Sequence, residues 1–212
     1  MNQKIKVAVL GGTGKAGTYL VNELLRQGFS LRLLLRKPEH FQISNPLIEV
    51  VKGDARDYKA ILTLTEGCQA IVSAIGYREG EPTPFSQATQ NVLRAMPRWG
   101  TSRYIVLTGL NVDTPLDRKS PQVQAATEWM RTHYPKTTAD KQEEYQLLAE
   151  STADWTLVRL PWIHLTDRAE AVKVSLEDCP GDGVSAGALA HFVVDQLLEG
   201  TYVRQAPFVA TI

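Results

Sequence analysis

Residues 7–17 read Val-Ala-Val-Leu-Gly-Gly-Thr-Gly-Lys-Ala-Gly, an apolar run that breaks into a glycine loop and leads into a helical pattern. A loop of this type can cradle a diphosphate. Gly11 or Gly12 allows the tight turn, Gly14 lets a pyrophosphate approach the backbone, and Gly17 lets the next helix pack closely on the strand. Thr13, Lys15 and Ala16 complete the loop, and Lys15 brings a positive charge to it. The helix expected over residues 14–27 points its unpaired N–H groups and the positive end of its dipole at a bound anion. Glycines alone fit an ordinary strand-to-helix turn equally well. The context favours a nucleotide: residues 5–10 form an apolar strand candidate, and Tyr19, Leu20, Leu24 and Leu25 recur at helical spacing behind the loop.

The end of the second strand selects the nucleotide. In an NAD-selective site an acidic residue ~20 residues beyond the glycines accepts hydrogen bonds from the ribose hydroxyls. Here the strand ends Leu34-Leu35-Arg36-Lys37, with no acid. A guanidinium at position 36 can clamp a 2′-phosphate through two parallel hydrogen bonds and stack on adenine, which favours NADP(H) over NAD(H). The alternative is a solvated basic strand end. The third strand ends Lys52-Gly53-Asp54-Ala55, where Asp54 is placed to accept from the adenine amino group, and Asp57 suits a helix N-cap. The fourth ends Ser73-Ala74-Ile75-Gly76, small residues that let a cofactor lie against the backbone, although a tight turn has the same composition.

Apolar strand-like runs at 31–35, 48–51, 70–74, 104–107, 156–159 and 207–210 alternate with helical patterns at 58–65, 84–99, 122–133, 138–151 and 186–199. That alternation predicts an α/β fold, a doubly wound parallel sheet of the Rossmann type with helices on both faces. The 212 residues suit one domain spanning 1–212 with a small C-terminal substrate region, and no repeat or flexible linker divides them. Irregular stretches at 77–83, 111–121 and 165–184 follow strands whose C-terminal ends face the cofactor, so they are expected on the substrate side. The helix near 188–198, with Leu189, Phe192, Val193 and Leu197 on one face, reads as core packing.

Other chemistries lack their residues. Lys plus Arg equals Asp plus Glu at 23 each, which gives no basic surface for nucleic acid. Cys68 and Cys179 stand far apart without a nearby histidine, and His40, His133, His164 and His191 show no ligand spacing, so no metal site is expected. There is no hydrolase Gly-x-Ser-x-Gly elbow and no Lys-Ser or Lys-Thr at P-loop spacing. The first residues run directly into a strand and no apolar stretch reaches the ~18 residues of a membrane span, which leads us to expect a cytoplasmic protein without membrane contact.

The glycine loop 11–17, Arg36, Gly53-Asp54, Ala74-Ile75-Gly76, the strand Tyr104-Ile-Val-Leu-Thr108 and the segment Asp154-Trp-Thr-Leu-Val-Arg-Leu-Pro-Trp162 together resemble the atypical short-chain dehydrogenase/reductases. That group includes the NmrA-like proteins and the biliverdin reductase B and flavin reductase group, and the resemblance covers nearly the whole chain. It implies that Thr108 occupies the active-site Ser or Thr position beside the nicotinamide, that Lys141 matches the catalytic lysine, and that Leu160, Pro161, Trp162 and Ile163 line the nicotinamide pocket. One departure stands out. Ordinary members of the superfamily carry Tyr-x-x-x-Lys, and position 137, four residues before Lys141, is threonine.

The missing tyrosine normally gives or takes the substrate proton, so alcohol dehydrogenation and sugar epimerisation are disfavoured. Hydride transfer to a flavin, quinone or bilin needs less from the protein, because the cofactor carries the chemistry and solvent can deliver the proton. The leading expectation is therefore an NADPH-dependent reductase of a small planar acceptor, with Trp162 and the Tyr77 loop as walls and Thr108 as a polar anchor. Each has a plainer reading: Trp162 as core, Tyr77 as exposed loop, Thr108 as a strand-end hydroxyl, Lys141 as part of a solvated cluster with Asp140, Glu143 and Glu144. The alternative function is a non-catalytic NmrA-like NADP(H) sensor that contacts a regulatory protein. A nucleotide-sugar epimerase or dehydratase ranks third, since it uses the absent tyrosine and a larger C-terminal lobe.

Overall fold

The computed structural model describes residues 5–41 and 43–211. The central apolar runs become strands because their residues are buried on both sides, whereas the run at 48–51 forms an edge strand with Val50 exposed. In β1 (Lys6–Leu10), Val7 and Val9 join the core under one helical layer while Ala8 and Leu10 join the core under the other. This is the continuous apolar pattern of a parallel sheet covered on both faces. Strands β2 (Ser30–Leu35), β3 (Ile48–Lys52), β4 (Ala70–Ser73), β5 (Arg103–Gly109) and β6 (Asp154–Leu160) extend it in the order 3-2-1-4-5-6, all parallel. Helices α1 (Lys15–Arg26) and α6 (Ala186–Leu198) pack together on one face. On the other lie α2 (Tyr58–Thr65), α3 (Phe85–Trp99) and α5 (Pro135–Glu150), with α4 (Pro121–His133) against α5.

The doubly wound order places a topological switch between β1 and β4, where the chain leaves β1 for β2 on one side and later returns to β4 on the other. Crevices at such points bind ligands beyond the C-terminal strand ends.

The C-terminal third departs from expectation. The stretch 165–184, expected to be irregular, holds β8 (Val172–Ser175), and β9 (Gly183–Ser185) begins at its end. Strand β8 pairs antiparallel with the final strand β10 (Phe208–Thr211), the one reversal in the large sheet among the described residues, and β9 pairs with β7 (Trp162–His164) in a separate two-stranded sheet. These strands are three or four residues long, and their partners lie far along the chain, so local periodicity does not announce them. Helix α5 also starts three residues before its expected 138, because Pro135 takes the first-turn position that tolerates a missing N–H.

One buried charge organises this region. Arg159 is fully buried in β6 and stacks 3.5 Å from the ring centroid of Phe208. It donates to the carbonyls of Ala206, Val112 and Leu176 and, at 2.6 Å, to Asp117 Oδ1. A guanidinium satisfied in this way ties the 111–121 loop, the segment after β8 and the approach to β10 to a single strand.

Candidate active site

The glycine loop divides its work among three residues. Gly11, not Gly12, makes the turn: its φ is +74°, and a Cβ there would stand 2.5 Å from the Ala74 carbonyl oxygen at the end of β4. Gly17 brings α1 onto the loop, with the Gly11 carbonyl 2.1 Å from where its Cβ would lie. Gly14 is the N-cap of α1 and offers no side chain to its first turn, so the leading amides of a 12-residue helix have no side-chain partner there. Around Gly14 the nearest atoms to a Cβ are the carbonyls of Gly11 at 3.1 Å and Ala74 at 3.8 Å. Such a cradle, open at Gly14 and lined by unpaired amides, fits a diphosphate. Thr13 and Lys15 are exposed on its rim, and Ala16 packs partly on the core.

The remaining candidates follow the same sheet edge in strand order. Asp54 and Ala55 follow β3, Arg36 follows β2, the glycine loop follows β1, and Ala74, Ile75 and Gly76 follow β4. Thr108 lies near the end of β5, and Pro161, Trp162 and Ile163 follow β6. All of them stand at C-terminal strand ends, so the fold brings together residues more than 150 positions apart. Asp57 caps α2 by accepting from the Lys59 amide.

A family profile described as NAD(P)H-binding matches residues 11–199. The chain belongs to this NAD(P)H-binding family. Divinyl chlorophyllide a 8-vinyl-reductase of Arabidopsis thaliana chloroplasts is 26% identical over 232 residues, covering 95% of this chain but 52% of that enzyme. The chain thus spans about half the length of that reductase. Among solved structures, a wide-type short-chain dehydrogenase/reductase from Veillonella parvula in complex with NADP is 15% identical with a TM-score of 0.81, covering 98% of this chain and 95% of that one. ChuY, an anaerobillin reductase from Escherichia coli O157:H7, is 17% identical with a TM-score of 0.77 and 97% coverage of both chains. At such identities the two structures share the fold. A nicotinamide dinucleotide is the ligand class of the family.

Two polar groups near the cradle differ from expectation. Both oxygens of Asp54 already accept from the Arg56 side chain, at 2.9 and 2.8 Å, and one also takes the Arg56 amide. The Arg56 hydrogen bonds hold the Asp54 carboxyl down at about 2, which leaves it a charged acceptor committed to its neighbour rather than an open adenine contact. Arg36 donates through Nη1 to Glu81 at 2.5 Å. Trp162 is 74% exposed and so is not a core residue; it sits on the small β7–β9 sheet, outside the large one. Tyr77 is exposed, as a loop side chain would be.

At β5, Thr108 is 4% exposed and its hydroxyl has no hydrogen-bond partner within the protein. A buried hydroxyl left in this state requires an explanation, and a ligand group is one. Lys141 of α5 comes up against the next residue of β5. Its Nζ lies 5.0 Å from the Phe85 ring centroid and 3.6 Å from where a Gly109 Cβ would be.

Nor is Lys141 part of a solvated cluster. Asp140 instead caps the start of α3, accepting from the amides of Phe85 and Ser86 and from the Ser86 hydroxyl. Glu144 is 2% exposed, accepts from Thr89 Oγ1 at 2.8 Å through one oxygen, and has no partner for the other. Burial pushes the Glu144 carboxyl up to about 7, against the opposing pull of Thr89 and Lys141. The same burial pushes the Lys141 amine down. Thr137, at the position of the absent tyrosine, is buried.

Glu81 and Arg159 have no role in the sequence pattern, and Glu144 figures there only in a solvated cluster. For Arg159 a signal existed: a lone charge in an otherwise apolar strand demands buried partners. Glu81 gave none, being 45 residues from Arg36.

A cavity of about 410 Å³ opens beside the loop after β5, lined by Asn111, Asp113, Arg131, Pro135, Thr138, Ala139 and Gln142. It lies against α4 and α5 and includes no residue of the glycine cradle.

Proposed function

We propose that the protein is an NADPH-dependent reductase that passes hydride to a small planar acceptor, with a free flavin the leading candidate and a quinone or bilin the alternatives. The observation that carries this reading is the cation at the end of β2. Arg36 stands one strand from the glycine cradle, where an NAD-selective site would carry an acid. In this reading the backbone of Gly11, Thr13, Gly14, Lys15 and Ala16 holds the diphosphate, and Arg36 holds the 2′-phosphate. Ala55, Ala74, Ile75 and Gly76 let the adenosine and linking atoms lie close to the chain, with Asp54 fixing Arg56 at the adenine end. Pro161 and Ile163 bound the nicotinamide face.

The bound cofactor supplies the hydride. Thr108 offers its unpartnered hydroxyl to the nicotinamide or acceptor, Lys141 keeps a cation or a proton near that hydroxyl, and the exposed Trp162 ring gives a flat acceptor something to stack on. Solvent delivers the accompanying proton, since no tyrosine stands at position 137. The reductases among the similar proteins, ChuY and the chlorophyllide enzyme, support this class of chemistry. The test is NADPH oxidation in the presence of FMN, a quinone or a bilin. Turnover with at least one acceptor, and less with NADH, is expected; no turnover with any of the three rejects the reductase.

The buried Thr137 favours a second reading, a nucleotide sensor without turnover whose contacts with a regulatory protein follow the redox state of NADP(H). It predicts tight binding of NADPH that is not consumed. Oxidation faster than the solvent control excludes it.

A further inference from the structure

The Arg36–Glu81 pair is formed at the surface, with both side chains 40% exposed, where such a bridge adds little to stability. Its route is what sets it apart. Arg36 follows β2, Glu81 lies in the connection from β4 to α3, and β2 and β4 flank β1 on opposite sides. The bridge therefore draws the 77–83 loop across the end of β1, a reach of two strand spacings or about 10 Å, on the edge from which the glycine cradle emerges. Arg78 and Arg56 add positive charge around the same carboxylate and, after Arg36, hold it below the ordinary glutamate range. Arg56 itself is bound to Asp54, so the cation that meets Glu81 directly is the one assigned to the 2′-phosphate.

We propose that Glu81 is a specificity-determining residue, an internal anion that occupies Arg36 until the 2′-phosphate of NADP(H) displaces it. The inference rests on the reading of Arg36 given under Proposed function. A phosphate carrying about −1.5 to −2 charges and three acceptor oxygens outcompetes a single carboxylate for a guanidinium. NAD(H) brings a neutral 2′-hydroxyl, which leaves the bridge in place and can donate to Glu81. Displacement frees the 77–83 loop from the end of β2 in the NADP(H) complex only. Glu81 thus narrows the preference for NADP(H) that Arg36 alone would give.

The experiment is calorimetric titration of NADP+ and NAD+ into the full chain as wild type, Glu81→Gln and Glu79→Gln. Glu79 is exposed in the same loop, so its substitution makes the same change in net charge without opening the bridge. Glu81→Gln is expected to tighten NADP+ by about threefold to fivefold, the worth of one surface ion pair, while NAD+ binding stays equal or weakens. Glu79→Gln should change both nucleotides by less than about half that factor. Equal effects of the two substitutions, or an equal gain for NAD+ and NADP+, overturn the role of Glu81 while leaving the cofactor reading intact. Failure of the wild type to bind either nucleotide overturns the cofactor reading and this inference together.

Discussion

Gly17 lies so close to Gly11 that a Cβ on it would stand 2.1 Å from the Gly11 carbonyl oxygen, inside any allowed contact. The first turn of α1 is pressed directly onto the loop that precedes it. A Cβ on Gly14, three residues earlier, would meet the same oxygen at 3.1 Å and the Ala74 carbonyl oxygen at an ordinary 3.8 Å. The two glycines therefore predict opposite outcomes. Gly17→Ala should destabilise the protein by about 1–3 kcal/mol in urea denaturation, because backbone must shift. Gly14→Ala should keep stability within about 1 kcal/mol yet weaken NADPH by at least tenfold, about 1.4 kcal/mol, if its methyl group stands where the proposed diphosphate site lies. Equal loss of stability in both variants would contradict the assignment.

Thr108→Val removes a hydroxyl that has no protein partner. Stability should be unchanged or rise by up to about 1 kcal/mol, since a buried unpaired group is replaced by an apolar one of the same shape. NADPH oxidation with the working acceptor should fall by about tenfold, equivalent to ~1.4 kcal/mol of lost transition-state interaction. A stability loss above 1 kcal/mol would show that Thr108 serves the fold instead.

Glu144 predicts a pH dependence of stability. Its carboxyl is pushed by burial from 4.5 up to about 7 in the folded protein. Between those values the native state keeps a proton that the unfolded chain has released. Stability therefore falls as pH rises through that window and levels off above it, with a slope of at most ~1.4 kcal/mol per pH unit for one proton. The groups facing Glu144 are Thr89, Tyr104, Asp140 and Lys141; of these, burial pushes the Lys141 amine down, which acts on the slope with the opposite sign. Glu144→Gln should flatten the slope measured by urea midpoints at pH 5, 6, 7 and 8. An unchanged slope assigns the effect elsewhere.

Arg159→Met should destabilise the protein by about 3–5 kcal/mol, because it removes a buried cation that donates to Asp117 and three carbonyls and leaves Asp117 with Thr114 and Lys119 alone. Double substitution with Asp117→Leu should recover part of the loss. A cost below 1 kcal/mol for the single variant would show that water satisfies these groups.

The sequence made the sheet and the cradle legible for a physical reason. Strands buried on both faces are continuous apolar runs, and a crossover that brings a helix onto a strand needs glycine at fixed places, so β1, α1 and a doubly wound parallel sheet could be anticipated. Arg36 could be placed because its position depends only on where β2 ends. Contacts that depend on tertiary return were not legible. Val172–Ser175 is too short to be distinguished from a loop until Phe208–Thr211 lies beside it. The charge character of Lys141 changed for the same reason: Glu144 looked like a solvated neighbour on one helix, and only the packing of α5 on α3 and β5 buries it.

Equilibrium titration of NADPH and NADH against wild type and Arg36→Glu tests the central claim most directly. The wild type should bind NADPH at least about tenfold more tightly than NADH, a difference of ~1.4 kcal/mol. Arg36→Glu should abolish that preference with NADH affinity kept within about threefold, or ~0.7 kcal/mol. Binding of neither nucleotide by the wild type, or an NADPH preference that survives Arg36→Glu, would contradict the account.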